Sequence, residues 1–152
     1  MTFSIVRATL VAGVVACLAG AAWAQGAAGE IAQRQAGLKA IAAAAGDIKK
    51  AMDAGADLTP LAPRAEEISA FAKRMPTLFP AGSGVESGQK TRALAAIWQN
   101  KSDFDATAGA LGREADKLAL ALKANDKAAS ATAFAATTGQ CGTCHRPFRA
   151  PQ

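Results

Sequence analysis

A chain of 152 residues holds one domain of ordinary size and excludes two. Alanine supplies 41 of them and tyrosine none, a mixture that favours helix, because Ala loses least on helix formation while strands want β-branched and aromatic residues. The formal net charge of +5 is spread along the chain without a basic run or interleaved aromatics, which excludes a nucleic-acid patch.

The chain opens on a leader. "MTFSIVR" carries Arg7, "ATLVAGVVACLAG" is an apolar run too short for a comfortable membrane span, and "AWA" before Gln25 has the small-x-small form of a cleavage site. Residues 1–24 therefore read as a secretory signal peptide and 25–152 as the mature domain, exported to an oxidising compartment. A rival reading takes "VVAC" as a lipoprotein site anchored through Cys17. Cleavage at Gln25 lowers the net charge to +4 and leaves Cys141 and Cys144 as the only cysteines.

Four segments then repeat alternating three-and-four spacings. The first, Glu30 to Ala54, runs Ile31, Arg34, Leu38, Ile41, Ala45, Ile48, Met52; the second runs Leu61, Ala65, Ile68, Ala72, Met75, with Thr59 as N-cap and Pro60 at the first helical position. The third runs Phe104, Ala108, Leu111, Ala115, Leu118, Leu122 behind a Ser102 cap. The fourth runs Ala131, Phe134, Thr138, Cys141, His145, Phe148 after Asn125 or Asp126. Each is the stripe a bundle helix buries. "AGADLTP" and "ALKAND" are short turns, whereas "PTLFPAGSGVESGQK" is too rich in Gly, Pro and Ser for helix and leads to a short turn at "ALAAIW". The expected fold is all-α: an antiparallel four-helix bundle with a long crossover between its second and third helices. A core of Ala and Leu is thin for this length, and a large bound group would fill it.

Two polar residues, Arg34 and His145, interrupt the seams. A buried charge needs a partner, so Arg34 either finds one or snorkels out of the bundle end. His145 ends "CGTCH", which has three readings. A redox thiol pair wants a helix N-terminus to lower its pKa, and this pair lies near a C-terminus. A structural zinc site needs four ligands, and the mature chain has only these three Cys and His residues. The third is covalent haem: C-x-x-C-H attaches c-type haem through two thioethers with the His on iron. On a helix Cys141, Cys144 and His145 share one face, so they address one flat object.

The whole mature chain resembles the cytochrome c′ family. The motif "CGTCHRPFR" stands at the extreme C-terminus, "RQAGL" (Arg34 to Leu38) in the first helix, and "LFPAGSG" followed by "AIW" in the crossover. The resemblance implies one covalent haem c on Cys141 and Cys144, His145 on the iron, Arg34 beside a propionate, and Leu38 on the distal side. Low-spin members place methionine at the Leu38 position. Leucine has no donor atom, which implies a five-coordinate, high-spin iron open to nitric oxide or carbon monoxide. The alternative is a low-spin electron carrier with a sixth ligand such as Met75; Met52 is about 21 Å from Leu38 along the helix. The resemblance also implies a non-enzymatic periplasmic protein, a homodimer through the first helices, and electron exchange with an unnamed redox partner. Arg149, one turn beyond His145, is implied on the proximal side, but Pro147 is expected to end or kink the helix near Arg146. Phe79 and Trp98 either wall the haem pocket or pack as ordinary core. A different class stays open: a haem-free interaction module with a disulfide.

Overall fold

The computed structural model describes the backbone of residues 6–151 and the side chains of residues 26–151. The leader expected at 1–24, with Cys17, lies outside the described side chains. Among the described residues no helix is long and apolar enough to cross a membrane.

Four long helices form the bundle: α1 (Val6–Asp53), α2 (Ala62–Arg74), α4 (Lys101–Lys123) and α5 (Lys127–Phe148), with one short turn, α3 (Ala96–Gln99), before α4. Helix α1 begins well before Glu30, because the Ala-rich stretch upstream holds no proline to stop it. It ends where Gly55 takes φ +64°, with Ala56 N–H donating to Ala51 O at 3.1 Å and Gly55 N–H to Met52 O at 3.0 Å. That is the Schellman pattern, which needs a left-handed residue just past the helix. Asn125 closes α4 in the same way at φ +50°.

The two turns meet at one end of the bundle. Asn125 Oδ1 accepts from Leu58 N–H at 2.9 Å, and Lys127 Nζ donates to Gly55 O at 2.5 Å. Asp126 is the α5 cap, accepting from Ala129 N–H at 2.9 Å. Two other expected caps are corrected. Thr59 opens a 3₁₀ turn, Thr59–Leu61, instead of capping α2, since its amide and hydroxyl both donate to Asp57 Oδ1. Ser102 lies inside α4, which starts after Asn100.

The α4 stripe is buried at all six positions, and the α2 stripe at all but half-buried Leu61. Helix α1 buries Ile31, Arg34, Ile41, Ala44 and Ile48, so Ala44 replaces Ala45 on the inner line. The α5 stripe departs most. Ala131 is exposed and Phe134, Thr138, Cys141 and His145 are half-buried; α5 buries Phe148 as expected, with Ser130 and Thr137 beside the expected line. Thr137 satisfies its hydroxyl on Ala133 O at 2.8 Å, which lets a polar residue take a core position. Helix α5 thus spends its covered face on α4 and meets α1 only sparingly.

Candidate haem site

Helix α5 carries Cys141, Cys144 and His145 half-buried on its less covered side, and both thiols are free. Burial pushes both thiols above their ordinary pKa, most simply because a thiolate is costly out of water. A redox-active pair wants the opposite shift. His145 is pushed down, first by burial and then by the charges of Arg149 and Arg92, a shift towards the neutral ring that a metal ligand requires. Among the described residues no cluster of three Cys, His, Asp or Glu stands ready for a metal ion alone, which leaves zinc without a tetrahedral set.

On the opposite helix, Arg34 is only 2% exposed. It does not snorkel. Nη1 donates to Ser83 Oγ at 2.8 Å and Leu78 O at 3.4 Å; Nη2 donates to Ser83 O at 2.7 Å and Thr91 Oγ1 at 2.8 Å. The guanidinium also lies 4.4 Å from the ring centre of Phe79. All these partners belong to the crossover, and none is a carboxylate. Burial lowers the Arg34 pKa, offset in part by Glu86 and Glu30. A buried cation held only by neutral acceptors retains its full charge for an anionic group.

Leu38, one turn after Arg34, is half-buried and packs against the core cluster that Cys144 also touches. Its neighbour Gly37 is in close approach to α2: a Cβ there would lie 1.9 Å from Phe71 Cε2. Phe79 is core, edge-on to Phe104 at 4.8 Å, and Phe104 is edge-on to Phe148 at 5.3 Å. Trp98 fastens the crossover by donating Nε1–H to Phe79 O and Pro80 O. Phe79 thus packs in the core and Trp98 against the crossover.

The helix end is a further correction. Pro147 does not stop α5 at Arg146; the helix runs to Phe148, and Arg149 N–H still donates to His145 O at 3.1 Å. Proline removes only one amide here, in the last turn, where few helix bonds remain to lose. Arg149 leaves helical geometry (φ −128°, ψ 128°) and brings Nη1 to 3.3 Å from His145 Nε2. Sequence reasoning missed Ser83, Thr91, Arg92 and Phe71. Only the small-residue stretch around Ser83 offered a signal, as a place where backbone approaches backbone.

The donor set fits haem. Two free thiols raised in pKa and an imidazole lowered in pKa share one helix face, that face is left sparsely covered by α1, and buried Arg34 on α1 makes no ion pair with a carboxylate. Comparison with known proteins agrees. The family described as Cytochrome C′ matches residues 29–149. Cytochrome c-556 of Agrobacterium fabrum is 38% identical over 129 residues, covering 81% of this chain and 82% of its own. Cytochrome c′ of Rhodopseudomonas palustris is 33% identical over 146 residues, covering 95% and 96%. The solved cytochrome c prime of Shewanella frigidimarina superposes with a TM-score of 0.74 at 34% identity, covering 82% of this chain and 97% of its own. The chain belongs to the cytochrome c′ family, whose members carry one covalently attached haem c, and Cys141 and Cys144 fit the attachment motif.

Proposed function

We propose that this chain is an exported haem protein with a five-coordinate, high-spin iron that binds nitric oxide or carbon monoxide and exchanges electrons. The observation that carries the reading is Leu38: it stands where the resemblance implies the distal side, has no donor atom, and packs against the same core as Cys144. Bound haem supplies an iron centre able to take an electron or a diatomic ligand.

The chain's own residues do the rest. Cys141 and Cys144 would hold the ring through thioethers, and His145 would give the iron a ring nitrogen. Arg34, fixed by the crossover, presents its charge to a propionate. Leu38 keeps water off the distal side, and Arg149 stands beside the proximal ring. Periplasmic export, removal of residues 1–24 and homodimer assembly belong to the same reading, supported by the leader-like sequence and the family. Its redox partner has no chemical signature in the chain.

The optical spectrum of ferric, haem-loaded protein tests this directly: a low-spin spectrum overturns the open site. Leu38→Met should move the spectrum to low spin and weaken carbon monoxide binding by about tenfold or more, a cost near 1.4 kcal/mol, because a thioether then competes for iron. An unchanged spectrum removes Leu38 from the distal position.

A further inference from the structure

The end of the chain is held by more than its own helix. After Phe148 the backbone leaves α5, and chain ends without ties are mobile. Here they are tied to the last part of the crossover. Leu94 N–H donates to Phe148 O at 3.0 Å and Ala150 N–H donates to Arg92 O at 2.9 Å, pairing Ala93 with Arg149 as a single antiparallel bridge. Arg92 then folds its guanidinium over the same place: Nε donates to Ala150 O at 2.9 Å, and Nη2 donates to that oxygen as well. The side chain of Arg149 is exposed, and among the described residues no carboxylate pairs with it. Its place beside His145 therefore depends on where the backbone is pinned.

We infer that Arg92 is a positioning residue that clamps the strap Phe148–Ala150 and so holds the Arg149 guanidinium against His145. The inference rests on the reading that His145 binds the haem iron. The same segment also reaches the other side of the site, because Thr91 Oγ1 accepts from Arg34 Nη2 at 2.8 Å and from Ala93 N–H at 3.2 Å. Residues 91–94 are a staple across a gap where α1 and α5 barely meet. A cation beside a ligating imidazole favours the reduced, less positive iron, so the clamp raises the reduction potential.

Arg92 is itself a cation near His145, and the alternative is that its charge alone acts there. Lysine separates the two, since it keeps the charge and loses the planar fork that holds the carbonyl. The experiment uses haem-loaded protein with Arg92→Lys, Arg149→Gln and the double substitution, measuring reduction potential and amide exchange at Ala150. Arg92→Lys should speed exchange at Ala150 and shift the potential down, as Arg149→Gln does, and should add nothing once Arg149 is glutamine. Unchanged exchange at Ala150 overturns the clamp. Faster exchange with an unchanged potential, or an equal further shift in the Arg149→Gln background, overturns the action through Arg149. Potentials are measurable in either spin state, so failure of the open-site reading shows in the spectrum and is distinct from failure here.

Discussion

At the scale of single residues, the most instructive position is Gly37. Helix propensity alone says that Ala stabilises a helix over Gly by about 1 kcal/mol. Phe71 reverses the sign here, because its ring occupies the space a Cβ needs. Gly37→Ala should cost up to about 2 kcal/mol in denaturant unfolding, the overpacking penalty less the propensity gain. Gly46→Ala and Gly139→Ala, where nothing lies within 4 Å, should gain about 0.5–1 kcal/mol. A stabilised Gly37→Ala protein would show that the Phe71 ring moves aside freely. Arg34 makes the complementary case: a charge that looked misplaced on an apolar stripe is held by the four hydrogen bonds it donates to loop oxygens.

At the scale of elements, the ends of the helices decide more than their middles. Helix α5 contains threonines, glycines and a proline, a poor set by propensity. It begins on Asp126, whose carboxylate takes an orphan amide of the first turn. Asp126→Ala should lower stability by about 1 kcal/mol, read as a shift in urea midpoint at constant slope. Loss near zero would mean that the bond from Lys127 to Gly55 and the packing on α4 hold that end without the cap. At the other end, the strap to residues 92–94 does what helix bonds no longer do past Arg149.

At the scale of the molecule, charge ties join helices that apolar packing already brings together. Asp116 on α4 accepts from Ser69 Oγ at 2.6 Å and Lys73 Nζ at 2.9 Å, both on α2. These contacts, Ser69 first, hold its carboxyl below the ordinary range. A depressed folded pKa gives stability that is present above the unfolded pKa and is lost as pH falls through the folded one. Asp116→Asn should therefore be less stable than the parent at neutral pH, by less than about 1 kcal/mol for so exposed a pair. The difference should close on acidification below the usual carboxylate range and shrink in high salt. A gap that persists at low pH would point to packing instead of charge.

The sequence by itself determined the four helices, the inner lines of α2 and α4, and the face shared by Cys141, Cys144 and His145. Those depend on local spacing, where a period near 3.6 and the fixed C-x-x-C-H interval leave little freedom. It also marked Arg34 as a charge in need of a partner. Tertiary structure alone chose that partner set, Ser83 and Thr91, and placed Phe71 on Gly37. It also buried Ser130 and Thr137 where apolar spacing had put Ala131, and pinned Arg149 through Arg92. Most of these are contacts across more than thirty residues, many of them to backbone carbonyls, which every residue carries. A carbonyl leaves no mark in a side-chain pattern, so only the folded chain could say which one each arginine would find.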